Sequence, residues 1–210
     1  MVRCARRVGV VRRRARRRAG AGLVGPFLRS IDGKQSSSTR VLPRQWLTGG
    51  PNCIELPAWQ VHVCNPDFYI LRESGCIHYE KPFLYLIFGR DKALLEDTGA
   101  GNVDTAPVVM NLIARWAKRN NRSEPVPLIV VHSHSHGDHT AGDPGFRNLR
   151  RNVQFVAATV AELQKAFAIR AWPTDIVPID LGGRVLDLIP IPGHDVPPAS
   201  PSTDRRTGVC

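Results

Sequence analysis

The 210-residue sequence has no run approaching the roughly 20 apolar residues of a membrane-spanning helix, although 42% of it is hydrophobic. Proline and glycine interrupt it throughout, which excludes a span and predicts a soluble globular protein. It has no C-x-x-C pair either: Cys4, Cys53, Cys64, Cys76 and Cys210 are scattered and odd in number. That spacing suggests neither a disulfide framework nor a cysteine zinc site, so a reducing, cytoplasmic setting is expected. Acidic side chains are missing from the stretch between Arg3 and Arg29, which holds ten arginines. Elsewhere 19 basic side chains stand against 18 acidic ones, so the net charge of +11 belongs to one tail and the body is nearly neutral. A basic stripe interleaved with aromatics is also lacking, and a nucleic-acid partner is not expected.

Residues 1–31 read as an Arg-rich disordered tail. Such a tail serves as a basic arm for phosphates or membranes, as a transit-like presequence, or as an upstream extension outside the fold. The apolar stretch "AGAGLVGPFL" after Arg18 is short and broken by glycine and proline, which argues against a secretory signal. Residues 32–58, with "DGKQSSSTR", have linker composition. The folded domain is expected over 59–210. Within it "FLYLIFG" (83–89) and "ALLED" (93–97) flank a short Gly-Arg-Asp-Lys turn and predict a hairpin with buried strands. Val109, Leu112, Ile113 and Trp116 repeat at helical spacing, with Pro107 in the first turn and Lys118 and Arg119 at the end. "PLIVV" (127–131) and "VQFVA" (153–157) predict strands, and Thr159 with Glu162 forms a capping box before Val160, Leu163 and Phe167. "IVPIDLGGRVLDLIPIPGH" adds two more strands, closed by Gly193 and His194. There is no internal repeat, and strands mixed with helices suggest sheet layers covered by helices.

Against this background "HSHSHGDHTAG" (132–142) stands out, because it holds four of the seven histidines. Residues two apart on extended backbone point the same way, so His134 and His136 can present imidazoles to one point past the strand ending at Val131. The chain then turns, and Asp138 and His139 swing toward a second point nearby. Zn²⁺ takes imidazole nitrogen and carboxylate oxygen, and a catalytic zinc keeps a position for water. The blander readings are the polar face of a strand or a His-rich tract that binds metal without catalysis. His132 falls outside the spacing and reads as a strand-end residue or one supporting a ligand from behind. His62 and His78 belong to no motif and read as structural or exposed.

His134-Ser135-His136-Gly137-Asp138-His139 resembles the H-x-H-x-D-H signature of the metallo-β-lactamase-fold hydrolases. "ALLEDTGAG" resembles the family's strand followed by Asp-Thr-Gly, with Asp97 under the metal loop, and "LIPIPGH" resembles the strand and Pro-Gly-His that deliver a further ligand, here His194. The likeness runs from about Phe68 to His194 and implies an α/β fold, an αββα sandwich with metals at one edge. It implies that His134, His136 and His194 hold one zinc and that Asp138 and His139 begin a second site, giving one or two Zn²⁺. Asp138 is also the candidate catalytic residue, while Asp97 and His132 lie behind the ligands. Histidine rather than glutamate at 136 resembles the zinc hydrolases more than the diiron oxidoreductases of this fold. Zinc brings the pKa of its water to roughly 7 and polarises a scissile carbonyl or phosphoryl oxygen, so no side-chain nucleophile is required.

The chain departs from the family after His194, where "DVPPASPSTDRRTGVC" replaces a Thr/Ser-Pro-Gly-Ser-like turn. "DRRTG" resembles the hairpin preceding a Gly-Asp that supplies a metal-bridging aspartate, but neither that aspartate nor a final histidine follows. The resemblance therefore implies a sandwich whose C-terminal half is incomplete. The expected function is zinc-dependent hydrolysis of a small molecule of thioester, lactone or β-lactam type, impaired by truncation. The alternatives are a noncatalytic metal-binding fragment and a phosphodiesterase or nuclease of the same fold. The sequence says nothing about oligomeric state, and substrate identity lives in loops.

Overall fold

In the computed structural model, residues 42, 46–47, 56–149 and 151–192 are described. Residues 1–31 and His194 lie outside them. Four strands come first: β1 (Trp59–Asn65), β2 (Phe68–Glu73), β3 (Phe83–Phe88) and β4 (Ala93–Glu96). Next come α1 (Ala106–Arg119), β5 (Leu128–Val131), the short helices α2 (Gly137–Thr140) and α3 (Asp143–Arg147), β6 (Val153–Phe155), α4 (Val160–Phe167), β7 (Val177–Asp180) and β8 (Val185–Leu188).

Strands β1 to β6 form one mixed sheet in sequence order, and β7 pairs with β8 in a second. The junctions from β1 to β4 are antiparallel, whereas β4–β5 and β5–β6 are parallel. Parallel neighbours need a crossover, and α1 supplies the one between β4 and β5. The hairpin expected at 83–97 is β3–β4, joined as predicted through residues 89–92. The helix predicted from Asp104 is α1, with proline in its first turn and Lys118 and Arg119 in its last.

Alternation along the central strands divides the core in two. Ala93, Leu95, Leu128 and Val130 point to the face covered by α1, where Val109, Leu112, Ile113 and Trp116 are buried. Leu94, Ile129 and Val131 point to the opposite face and pack with Leu163 of α4 and with Ile179 and Leu188 of the β7–β8 ribbon. The layers therefore run helix, sheet, then ribbon with α4. The side chain of Thr159 accepts the Glu162 N–H and so caps α4. Trp46 and Leu47, within the stretch of linker composition, touch the sheet. The Trp46 ring meets His62 and Phe83 edge-on, and Leu47 exchanges two 3.0 Å hydrogen bonds with the Gln60 side chain.

One expectation is corrected here. Cys76 is disulfide-bonded. An odd cysteine count guarantees at least one thiol but does not forbid a pair, so parity could not exclude the bridge. Among the described residues no helix is long and apolar enough to cross a membrane.

Candidate metal centre

The parallel strands β4 and β5 end side by side, with Glu96 opposite Val131. The chain leaves both at the same sheet edge, and the crevice outside the carboxyl ends of parallel strands is where α/β folds place ligands. Asp97 leaves β4 with φ +69, a left-handed turn that directs its carboxylate across to the segment following β5. Asp97 is 2% exposed, and its carboxylate accepts three hydrogen bonds. The Ser133 N–H donates to Oδ1 and the Ser133 hydroxyl to Oδ2, both at 2.8 Å, and His139 Nδ1 donates to Oδ2 at 2.7 Å.

This arrangement orients two imidazoles. Because the Ser133 hydroxyl gives its only proton to Asp97, its oxygen accepts from His134 Nδ1 at 3.0 Å. His134 and His139 thus both carry their proton on Nδ1, one through Ser133 and the other directly, so Nε2 of each carries the lone pair that a metal would take. His134 Nε2 lies 3.1 Å from His136 Nδ1, and His139 Nε2 lies 3.1 Å from Asp138 Oδ2. Ligand atoms of His134, Asp138 and His139 all fall within 4.8 Å of one another. Imidazole nitrogen and carboxylate oxygen are donors a divalent metal accepts, and the two 3.1 Å pairs lie close to the roughly 3.3 Å between ligand atoms of a tetrahedral site with bonds of about 2.0–2.1 Å.

The structure therefore brings His134, Asp138 and His139 into one group, with the His136 ring 4.6 Å from that of His134 at an exposed edge. This group draws from both of the sites that the resemblance implied. Burial works against a charged His139, but the hydrogen bond and charge of Asp97, aided by Asp138 and Glu80, outweigh it and raise its pKa.

The segment read as a turn after His136 contains two short helices, α2 and α3, and a buried network holds them. His132 is 1% exposed and does not face the metal group. Its Nε2 lies 2.8 Å from Asp143 Oδ1 and its Nδ1 3.2 Å from the Val156 carbonyl. Thr98 donates its hydroxyl to Asp143 Oδ1 at 2.8 Å and its N–H to the His139 carbonyl at 2.8 Å. Gly142 is required here, since a Cβ would sit 2.1 Å from the Thr98 carbonyl oxygen. Ser133, Thr98 and Asp143 all act in this scaffold, and only the Asp-Thr-Gly resemblance pointed to any of them.

Beside the metal group opens a cavity of about 450 Å³, lined by His78, Tyr79, Glu80, Ala100, His136 and Asp138, among others. His78, which belonged to no motif, stacks on Tyr79 at 4.9 Å in this wall. Glu73 lies buried nearby, with its Oε2 accepting the Ala100 N–H at 3.0 Å. Burial raises its pKa, against the opposing effect of that hydrogen bond.

Residues 82–205 match the metallo-beta-lactamase superfamily. The chain belongs to that superfamily. Its αβ layers and mixed sheet are those of the metallo-β-lactamase fold, whose members include metal-dependent hydrolases and flavo di-iron proteins. Among solved structures it is similar to a metallo-beta-lactamase from Hirschia baltica, with 19% identity over 53% of this chain and 48% of that one, at a TM-score of 0.37. A metallo-beta-lactamase from Pontibacter korlensis gives 21% identity over 63% and 60%, at 0.41. A flavo di-iron protein from Thermotoga maritima, solved as a mutant, gives 16% over 64% and 37%, at 0.41. The chain spans about half the length of the first of these structures. No curated protein matches it. Membership rests on the matched stretch 82–205.

Proposed function

We propose that this chain is a zinc-dependent hydrolase of a small molecule, of thioester, lactone or β-lactam type. The observation that supports the reading best is the group of His134, Asp138 and His139 donors within 4.8 Å at the carboxyl ends of two parallel strands. Imidazole nitrogens with one carboxylate suit zinc better than the carboxylate-rich sets that hold harder ions. Zinc, when bound, would supply Lewis acidity and an acidified water. His134 and His139 would hold it through Nε2 and Asp138 through a carboxylate oxygen, with His136 beside them, and His194 would complete the set on the family pattern. Asp97 and Ser133 hold the two ring orientations, and Asp138 is also the candidate catalytic residue. The substrate would enter by the cavity bounded by Tyr79 and Glu80.

Disulfides persist mainly in oxidising compartments, so the bonded Cys76 supports a non-cytosolic setting for this site. The reading is tested by metal analysis of the full chain and of a His134→Ala/His136→Ala variant. The assay panel is thioesters, lactones, β-lactams and phosphodiesters. Zinc bound by the wild type and lost from the variant is expected; equal zinc content in both would refute the site.

A further inference from the structure

A second cavity, of about 400 Å³, lies at the opposite end of the sheet, where β3 turns into β4. Four parts of the chain build it: Asp67 from the β1–β2 turn, Arg90 from the β3–β4 turn, Arg122 just past α1, and Gly183 with Arg184 from the β7–β8 turn. Three of its lining side chains are guanidinium groups and one is a carboxylate. Asp67 commits its Oδ1 to the indole N–H of Trp116, at 2.8 Å, and that ring also lines the cavity.

The arginines are held from behind. Arg122 Nη1 donates to the Arg90 carbonyl at 2.7 Å, and Arg184 Nη1 to the Asp67 carbonyl at 3.0 Å. A guanidinium has five N–H donors, so one such anchor restrains the group and leaves most of its fork for another acceptor. The Asp91 carboxylate, already paired with Arg90, is the nearby negative charge that Arg122 also feels. A bland reading is that these cations answer the C-terminal carbonyls of α1. Lys118 and Arg119 already occupy the last turn of that helix. Arg122 lies beyond it and reaches to a different loop, and Arg184 comes from another sheet. Arg90 is the least available, because it forms a two-point contact with Asp91. Gly183 completes the wall with φ +73, and a Cβ built on it would meet nothing within 4 Å. The backbone there borders open space.

We propose that this cavity binds an oxyanion of the phosphate class, held by the forks of Arg122 and Arg184. It is a site separate from the histidine cluster, so it stands whether or not the chain hydrolyses anything.

The test is calorimetric titration of the full-length chain with inorganic phosphate, at ionic strength held constant with chloride. Three variants accompany the wild type. Arg122→Ala removes a charged donor. Gly183→Asp and Gly183→Asn place matched side chains in the open space, and Asp and Asn are the residues that best tolerate a positive φ. Saturable binding is expected in the wild type and in Gly183→Asn, weakened about tenfold in Arg122→Ala, the loss of one charge-assisted hydrogen bond. Gly183→Asp should weaken it at least as much. A nucleoside monophosphate run in parallel distinguishes the sources, since tighter binding than inorganic phosphate assigns the site to a phosphate ester and equal binding to the free ion. Absence of saturable binding in the wild type, or equal affinity in the Gly183→Asp and Gly183→Asn variants, overturns the proposal.

Discussion

Glu96 offers the sharpest test of the energetics around the site. It is the last residue of β4 and lies on the face shared with Leu94, in a row across the sheet formed by His62, Ile70, Tyr85, Glu96 and Val131. Burial on this largely apolar face, and then the charge of Asp97, push its pKa up to about 8. The unfolded chain releases the same proton near 4.5. The folded state therefore binds the proton more tightly, and the contribution to stability is fully present below pH 4.5. It is lost as pH rises through 8.

At about 1.36 kcal/mol per unit, that interval corresponds to at most about 5 kcal/mol. Glu96 keeps some surface, and water there screens part of the penalty, so we expect about 2 kcal/mol. The perturbation is Glu96→Gln, which keeps the shape and removes the titration. Urea unfolding followed by tryptophan fluorescence should give nearly equal stabilities for wild type and variant at pH 4, below the unfolded pKa. At pH 9 the variant should be the more stable by about 2 kcal/mol. A difference that stays constant from pH 4 to pH 9, or a wild type that gains on the variant as pH rises, would refute the placement of Glu96 in a low-dielectric recess.

Three further outcomes are expected. Asp97→Asn keeps the volume but loses the charged acceptor of His139 and Ser133, so zinc affinity measured by competition with a chromophoric chelator should fall about 10- to 100-fold. Gly142→Ala forces a Cβ against the Thr98 carbonyl; it should destabilise the fold by about 1–3 kcal/mol in chemical denaturation, and an unchanged midpoint would show that α2 and α3 move freely there. Trp116→Phe removes the indole donor to Asp67 while keeping the stack on Phe88, whose centroid lies 4.7 Å away; a loss of about 1 kcal/mol in the same assay is expected.

What could be read from the sequence depended on whether a signal was local. The β3–β4 hairpin shows as two apolar runs about a four-residue turn, and α1 as a repeat with a proline start and a basic end, because each pattern is complete within its own segment. Strands β1 and β2 escaped notice for the opposite reason. β1 is only half covered after Trp59 and Gln60, and β2 ends on the buried carboxylate of Glu73, so neither shows a clean two-residue period. The short helices α2 and α3 have the composition of turns, and what holds them in place is contact with Thr98, more than 40 positions away from either His139 or Asp143.

The same division runs through the candidate metal centre. His134, Asp138 and His139 are legible because one short loop carries all three. What orients them is not, since Asp97 reaches Ser133 across 36 positions and His139 across 42. A serine between two strands of hydrogen bonds has no sequence signature of its own. Ser133 is what lets the single Asp97 carboxylate orient two imidazoles, His139 directly and His134 through the serine hydroxyl. The candidate ligands are therefore set by spacing in the loop, and the tautomers of two of them by the end of the neighbouring parallel strand, which makes the β4–β5 pairing as much a part of the candidate site as the histidines are.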